Sequence, residues 1–205
     1  MLLASFDVNP GTGKPEAVAN VILCATKREQ VEKVMYAEIE RMRMQSKHIK
    51  KMSTAINKQI TFAHNQGSIR CVGSDKPYDG LNPLAILQDE LHAWREHHRG
   101  FYDTMQTGSG ARQQPIIITL TTAGDDQSHI WLSEYKYAKG ILNQDFNDEQ
   151  LFAFCFELDE KDDVLDPQNW VKANPNLGVS VKQTYLERMA KEAKQDALAL
   201  NRFKR

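Results

Sequence analysis

Leu84-Ala85-Ile86-Leu87-Gln88-Asp89-Glu90 is an apolar run that ends abruptly in two adjacent carboxylates, and it decides the fold. No polar residue alternates with the apolar ones in 84–87, which is typical of a strand buried on both faces of a parallel sheet. Asp89 and Glu90 then lie at the carboxyl end of that strand. In open α/β sheets, ligands bind at this end of the strands.

The two carboxylates fit the Walker B pattern of nucleotide hydrolases. In that pattern the aspartate holds Mg²⁺, directly or through water, and the glutamate polarises the water that attacks a γ-phosphate. Taken alone, the same residues also fit a buried strand that leaves the core through an acidic surface loop. The rest of the chain favours the first interpretation.

Composition and charge exclude several classes of protein. The 205 residues carry a formal net charge of −1, so the chain has no global attraction to nucleic acid and any DNA contact depends on a local patch. Cys24, Cys71 and Cys155 are far apart in apolar or strand-like runs, which indicates reduced core residues and neither a disulfide set nor a zinc site. No apolar run approaches the roughly 20 residues of a membrane span, so we expect no membrane partner.

A glycine-rich loop near the start of the chain looks like a phosphate-binding loop but has the wrong spacing. The motif needs a glycine five residues before its Gly-Lys pair, and position 8 is a valine. Pro15 follows Lys14 where a hydroxyl residue is needed, and it supplies no backbone N–H for a phosphate. We therefore interpret residues 9–16 as a surface turn.

Hydrophobic patterns predict further elements before and just after the acidic pair. Residues 21–25 form a second buried strand, and residues 59–63 and 68–72 form a β-hairpin. Thr26 caps a helix of about five turns. The buried face of that helix is predicted from 3.6-residue spacing as Val31, Val34, Met35, Ile39 and Met42. Residues 91–106 are helical, with a predicted buried face of Trp94, Phe101, Tyr102 and Met105.

The second half of the chain continues the α/β alternation. Residues 115–120 are the next buried strand, and they end in Thr121-Thr122-Ala123-Gly124. Those hydroxyls suit a polar contact beside a bound phosphate, and they also fit a β-branched strand end followed by a glycine turn. A helix from about 126 to 142 and a strand over 151–158 follow. A short helical turn carries Trp170, and a long charged helix with a thin apolar stripe covers 181–203.

With these pieces in order, the sequence resembles the ATPase portion of the large terminase subunit of tailed bacteriophages. Five matching segments cover nearly the whole chain. They are Ala25-Thr26-Lys27-Arg28-Glu29-Gln30, Tyr78-Asp79-Gly80-Leu81-Asn82-Pro83, Asp89-Glu90-Leu91-His92-Ala93-Trp94, Gln114-Pro115 through Thr121-Thr122-Ala123-Gly124, and Lys172-Ala173-Asn174-Pro175-Asn176-Leu177-Gly178.

The resemblance implies a fold and a function. The fold is a partial P-loop NTPase of the ASCE type, a three-layer α/β sandwich with a mostly parallel sheet, a β-hairpin insertion and a C-terminal helical linker. The function is an ATP-hydrolysing motor that moves double-stranded DNA into a capsid. In the family the motor is a homo-oligomeric ring at the portal protein, works with the small terminase subunit, and acts in the cytoplasm of a bacterium that is phage-infected or carries a prophage.

The resemblance also assigns residues, with ATP and Mg²⁺ as cofactors. Asp89 is the Mg²⁺ ligand, and Glu90 is the catalytic base. Thr121 and Thr122 match the segment that senses the γ-phosphate and couples hydrolysis to movement. Thr26 belongs to the nucleotide-binding set.

Two departures from the family pattern bear on activity. The phosphate-binding loop is expected ahead of residue 1 and the nuclease after residue 205, so we expect residues 1–172 to be an incomplete ATPase core. Residues 173–205 are expected to be a linker and helix leading towards the nuclease. The missing strand would leave residues 151–158 without their usual neighbour or force them against a different strand. We therefore predict that the fragment alone binds ATP weakly and does not hydrolyse it.

Other chemistry has weaker support. His92 and Glu96 have a spacing that a metal could use on one helix face, although the zinc-protease pattern is absent and helical histidines are usually solvated or packed. The cluster over 47–51 could touch DNA phosphates, but it also fits a solvated helix end. Candidates for an arginine finger are Arg70, Arg95, Arg99 and Arg112, although the sequence favours an ordinary surface charge for each.

Two other functions fit the same sequence. The chain could be a catalytically inactive terminase remnant that acts only by docking to partner subunits, or a fragment of another P-loop motor or helicase. The Asn82-Pro83 entry, the Thr-Thr-Ala-Gly strand end and the Ala-Asn-Pro-Asn-Leu-Gly segment favour a terminase over a helicase.

Overall fold

The structure is a computed structural model, and it describes residues 13–14, 18–75, 78 and 80–204. The chain divides into two compact units, Met1–Leu132 and Ser133–Arg205, each of which is described by itself. Of the five segments that carry the family resemblance, only Asp79 lies outside the described residues.

The first unit is built on a six-stranded sheet. In chain order the strands are β1 (Asn20–Ala25), β2 (Ser53–Ile56), β3 (Gln59–Phe62), β4 (Gly67–Gly73), β5 (Ala85–Asp89) and β6 (Ile116–Leu120). Their spatial order is β2-β3-β4-β1-β5-β6, in which β4, β1, β5 and β6 are parallel and β2, β3 and β4 are antiparallel. The predicted mostly parallel sheet and its β-hairpin are confirmed, and β2 is an additional strand.

The central strands contribute to a core on each face of the sheet. Along β1, Val21, Leu23 and Ala25 enter one buried cluster, whereas Ile22 and Cys24 enter the other. Such two-sided burial explains why these strands show no polar alternation. The apolar run in 84–87 follows the same rule, since Ala85 and Ile86 of β5 enter opposite clusters.

The segment that follows β1 in the chain is helical and covers one face of the sheet. The helical run comprises α1 (Arg28–Val31), a π-helical segment (Glu32–Tyr36) and α2 (Ala37–Gln45), and a bend at Ser46 leads into α3 (Lys47–Met52). The predicted cap at Thr26 is wrong, because Lys27 is the capping residue and makes no side-chain hydrogen bond.

The predicted buried face of this run is correct only in part. Val31 is buried, and Met35 and Ile39 pack against the core, but Val34 and Met42 are exposed. The π-helical segment explains the error, because i→i+5 hydrogen bonds turn the backbone through a smaller angle per residue than the α-helix does. The buried face therefore drifts from the 3.6-residue pattern, and Tyr36 enters the core.

The segment after β5 is not the single helix predicted for 91–106. Two 3₁₀ turns, Leu91–Ala93 and Glu96–His98, precede α4 (Arg99–Thr107). The extended backbone of Arg95 interrupts the helix between the two turns. Trp94, Tyr102 and Met105 are buried as predicted, and they cover the second face of the sheet together with Ile130.

Strand β6 forms where predicted, but its predicted burial is wrong for most of its residues: Ile117 packs against the core, and its neighbours do not. Ile116, Ile118 and Leu120 are all exposed. The reason is its place in the sheet: within the described residues, β6 pairs with β5 alone and forms one edge.

The second half of the chain contains α5 (His129–Leu142), α6 (Trp170–Ala173), α7 (Gln183–Ala193) and α8 (Ala197–Phe203). The predicted helix over 181–203 is wrong, because the side chain of Asp196 accepts from the backbone N–H of Ala199 and starts a new helix. The strand predicted over 151–158 is also wrong: these residues have no regular secondary structure, and no described strand pairs with them. In the described part of the chain, every helix is too short or too polar to cross a membrane.

Candidate active site

The carboxyl ends of two neighbouring strands bring the predicted residues together. Asp89 of β5 is level with Leu120 of β6 in the parallel register. The backbone N–H of Glu90 donates to the carbonyl oxygen of Leu120 over 2.9 Å. Thr121 therefore follows β6 at the same end of the parallel strands as the two carboxylates.

Thr26 lies at this carboxyl end of the strands as well. Cys24 of β1 is level with Gln88 of β5, so the residue after β1 is close in level to the end of β5. The carbonyl oxygen of Thr26 accepts a hydrogen bond from the hydroxyl of Ser74 over 2.9 Å. This bond joins the end of β1 to the turn after β4.

Glu90 has a strained backbone. Its φ and ψ angles of 53° and 48° are left-handed, a region that costs a non-glycine residue about 1–3 kcal/mol and persists only where the surroundings enforce it. The indole N–H of Trp94 donates to the carbonyl oxygen of Asp89 over 3.1 Å and so helps to fix the strand end. The strain ends β5 sharply and turns the chain into the first 3₁₀ turn.

One oxygen of the Glu90 carboxylate is protected from solvent, although the side chain as a whole is 38% exposed. Its Oε2 atom is shielded from solvent and accepts no hydrogen bond of good geometry from the residues that the structure describes. The ring Nδ1 of His92 lies 2.9 Å from that oxygen. This separation is within hydrogen-bond range, although the geometry is not that of a formed hydrogen bond.

His92 also joins this carboxylate to the two threonines. Its backbone N–H donates to the hydroxyl of Thr121 over 2.9 Å, and its ring Nδ1 lies 3.3 Å from the hydroxyl oxygens of Thr121 and Thr122. Sequence reasoning considered His92 only as a metal ligand. The available signal was its position two residues after Glu90, at a strand end where the chain must turn.

A second set of contacts joins the loops that follow β5 and β6. The guanidinium of Arg95 makes two hydrogen bonds to the carboxylate of Asp125, one of 3.0 Å through Nη2 and a shorter one through Nη1. The hydroxyl of Ser128 donates to the carbonyl oxygen of His92 over 2.7 Å. Arg95 holds the pKa of Asp125 well below its usual range. Both loops are therefore tied together just beyond the acidic pair.

The four arginine-finger candidates have different surroundings. Arg95 is hydrogen-bonded to Asp125, and the half-buried Arg99 lies 3.4 Å from Glu96. Arg112 donates to the carbonyl oxygens of Asn82 and Val18. These residues precede β5 and β1, at the amino end of the parallel strands. Arg70 is level with Ile22 within β4. None of these placements singles out a finger.

The acidic pair has the chemistry of a magnesium–nucleotide site. Asp89 is half-buried, and Mg²⁺ prefers carboxylate oxygens in such positions while keeping several waters. The Oε2 atom of Glu90 is shielded, but the side chain as a whole is 38% exposed, so a water can reach the carboxylate. These residues therefore fit Mg²⁺ and an attacking water.

The other candidate groups do not add to this site. Glu96 lies in the second 3₁₀ turn and pairs with Arg99, so His92 and Glu96 do not share a helix face. Burial raises the pKa of the Cys71 thiol to about 12, which makes a thiolate nucleophile there unfavourable. The basic residues over 47–51 lie in α3, where Lys47, Lys50 and Lys51 are exposed to solvent.

Comparison with known families and proteins identifies similar chains. The family model described as "Terminase large subunit, ATPase domain" matches residues 8–140, and the model described as "Terminase large subunit, endonuclease domain" matches residues 145–205. Protein YmfN of Escherichia coli (strain K12) is 39% identical over 127 residues, which are 62% of this chain and 27% of that protein. The large terminase subunit of Enterobacteria phage HK97 is 26% identical over 186 residues, which are 87% of this chain and 35% of that protein.

A solved structure has the same fold. The crystal structure of the HK97 bacteriophage large terminase aligns with a TM-score of 0.78 at 20% identity, covering 96% of this chain and 40% of that chain. This chain thus spans about a third of the length of the curated relatives that it matches. The two family models meet between residues 140 and 145, and the boundary predicted at 172–173 stays a prediction.

Proposed function

The chain belongs to the terminase large subunit family, and we propose that it supplies the metal-binding and water-activating side of the ATPase site in a DNA-packaging motor. One observation supports this function best. Asp89 and Glu90 lie beside Thr121 and Thr122 at the carboxyl ends of β5 and β6. The predicted roles of these residues are part of the proposal.

The residues would act as follows. Asp89 holds Mg²⁺, which neutralises charge on the phosphates of a bound ATP. Glu90 orients a water and accepts its proton, and its side chain is open enough to water for this role, at 38% exposed. The hydroxyls of Thr121 and Thr122 lie next to this position and would contact the γ-phosphate of a bound nucleotide. Thr26 contributes to nucleotide binding from the end of β1.

The proposal extends to the assembly in which the chain works. We propose that it acts on double-stranded phage DNA in a ring of subunits at the portal protein, together with the small terminase subunit, in the cytoplasm of the host bacterium. The 205 residues carry no phosphate-binding loop of the required spacing, so we expect the chain alone to bind Mg·ATP weakly and not to hydrolyse it.

Binding measurements on purified chains test the metal-binding role. We expect the affinity for a fluorescent ATP analogue to increase with Mg²⁺, and Asp89→Asn to remove that dependence. The matched control is Glu96→Gln, an acidic residue seven positions further on that pairs with Arg99, which should behave as the unmutated chain does. Binding that ignores both Mg²⁺ and Asp89→Asn would contradict the proposal.

Hydrolysis measurements test the role of Glu90. Turnover by the chain alone that disappears in Glu90→Gln would show that the expected inactivity is wrong and would support Glu90 as the base. Turnover that survives in Glu90→Gln would point to a contaminant or to a different site.

A second candidate function is docking without catalysis. The exposed apolar side chains of Ile116, Ile118 and Leu120 on an edge strand favour it, because open edges pair readily with other chains. The two functions differ in one measurement. A docking protein should lose partner binding in Ile118→Lys and keep it in Asp89→Asn. An ATPase component should instead lose its Mg²⁺-dependent nucleotide binding in Asp89→Asn.

A further inference from the structure

His92 occupies the centre of the candidate site, and the proposed function gives it no task. Its side chain is about one-third exposed, at 31%. The ring Nδ1 has three oxygen neighbours: Oε2 of Glu90 at 2.9 Å, and the hydroxyls of Thr121 and Thr122, each at 3.3 Å. The direction of these contacts depends on whether Nδ1 carries a proton.

Counting donors and acceptors shows which form of the ring the surroundings favour. An ionised carboxylate can only accept. The hydroxyl of Thr121 donates its single proton to the carbonyl oxygen of Thr122 over 2.8 Å and already accepts from the backbone N–H of His92. Two of the three neighbours of Nδ1 therefore have no proton to give it. A bare Nδ1 lone pair would face two acceptors and could receive a proton only from the hydroxyl of Thr122, so the contacts favour a proton on Nδ1.

The shielded carboxylate oxygen supports the same assignment. Oε2 of Glu90 is shielded from solvent and has no hydrogen-bond donor of good geometry among the described residues. A buried acceptor without a donor is destabilising, and Nδ1 is already within hydrogen-bond distance of it. A small rotation of the ring directs an Nδ1–H bond at this oxygen.

We propose that His92 is a positioning residue that holds the carboxylate of Glu90 beside Thr121 and Thr122 through a proton on Nδ1. Its importance for catalysis rests on the proposed function, in which Glu90 is the base. The main chain of His92 is fixed by the hydroxyls of Thr121 and Ser128, so the ring follows any movement of the loop after β6. A displacement of the threonines thereby changes the position of the carboxylate.

The proton position can be measured directly. Long-range ¹H–¹⁵N correlation spectra of the ¹⁵N-labelled chain, recorded without nucleotide at a pH where the ring is neutral, distinguish the two tautomers, and His92→Asn assigns the signals. We expect His92 in the Nδ1–H form, and we expect Glu90→Ala to convert it to the Nε2–H form. Glu96→Ala is the matched control and should leave the Nδ1–H form unchanged.

Two results would overturn the proposal: an Nε2–H tautomer in the unmutated chain, or an Nδ1–H tautomer that persists in Glu90→Ala. A second readout is the carboxyl ¹³C resonance of Glu90. Asparagine places its amide where Nδ1 lies, and glutamine places its amide where Nε2 lies. We therefore expect His92→Asn to keep this resonance near its original position and His92→Gln to shift it, and equal shifts in the two variants would count against the proposal.

These measurements are independent of the proposed ATPase function because no nucleotide is present. Failure of ATP binding would leave the tautomer result standing, and the wrong tautomer would leave the role of Asp89 untouched.

Discussion

Strands β5 and β6 lie side by side, run parallel and are both mainly apolar, yet their side chains differ in burial. Ile86 of β5 is fully buried, whereas Ile118 of β6 is 39% exposed and Leu120 is 60% exposed. β5 has β1 on one side and β6 on the other, whereas β6 has a single neighbour in the described sheet. The comparison teaches that an apolar run predicts a strand, while the position of that strand in the sheet decides its burial.

The largest expected difference between the two strands is in core stability. Ile86→Ala should lower the free energy of unfolding by about 2–5 kcal/mol, because it removes buried methylene groups and leaves a cavity. Ile118→Ala is the matched control on β6 and should cost less than about 1 kcal/mol, because its side chain is already partly in water. Urea denaturation of the two variants measures both values. Equal losses would mean that β6 is covered in solution.

The two strand ends differ in backbone strain, which should change the free energy of unfolding by less than the core substitution does. Glu90→Gly should raise the free energy of unfolding by about 1 kcal/mol, because glycine adopts the left-handed conformation without a steric penalty. Thr121→Gly, after β6, should lower it instead, because the variant loses the hydroxyl that accepts from His92. Thermal and urea unfolding measure both changes. A destabilised Glu90→Gly variant would show that the contacts of the Glu90 side chain outweigh the strain.

The ion pair that joins the loops after the two strands should have the smallest effect. The pKa of Asp125 is lowered by Arg95 in the folded chain, so the pair stabilises fully above the ordinary aspartate pKa of about 3.9 and loses its effect as the pH falls further. Asp125→Asn should therefore lower the melting temperature slightly at pH 7, and this difference should shrink below pH 4.

The neighbouring Asp126, which is exposed, provides the control for this pH dependence. Asp126→Asn should change the melting temperature little at either pH. A difference between Asp125→Asn and the unmutated chain that is constant from pH 7 to pH 3 would show that the carboxylate charge is not what stabilises the loops.

The strands, and the strand ends that carry the candidate site, could be predicted because the sequence patterns that indicate them are local. Doubly buried strands show unbroken apolar runs, and an acidic or hydroxyl pair directly after such a run must lie at its carboxyl end. The placement of Asp89, Glu90 and Thr121 followed from these two facts. Their chemical roles came from the family resemblance and stay proposals.

The parts that were wrong depend on interactions that the sequence pattern does not contain. The π-helical segment that moves Val34 to the surface conforms to no simple apolar period. The strand predicted over 151–158 needs a pairing partner, and the burial predicted for 115–120 needs a second neighbouring strand. The contacts of His92 join two loops that are about 30 residues apart in the chain and become visible only when the strands are in register.

Trp94 gives the molecule an internal optical reporter. Its indole is fully buried, stacks on Phe101 with ring centroids 5.3 Å apart, and donates to the main chain of Asp89. Indole fluorescence responds to the polarity and hydrogen bonding of its surroundings, so the emission of this residue should follow the geometry of the strand end without any attached dye. With Trp131 and Trp170 replaced by phenylalanine, the chain would signal metal or nucleotide arrival in its own ultraviolet spectrum.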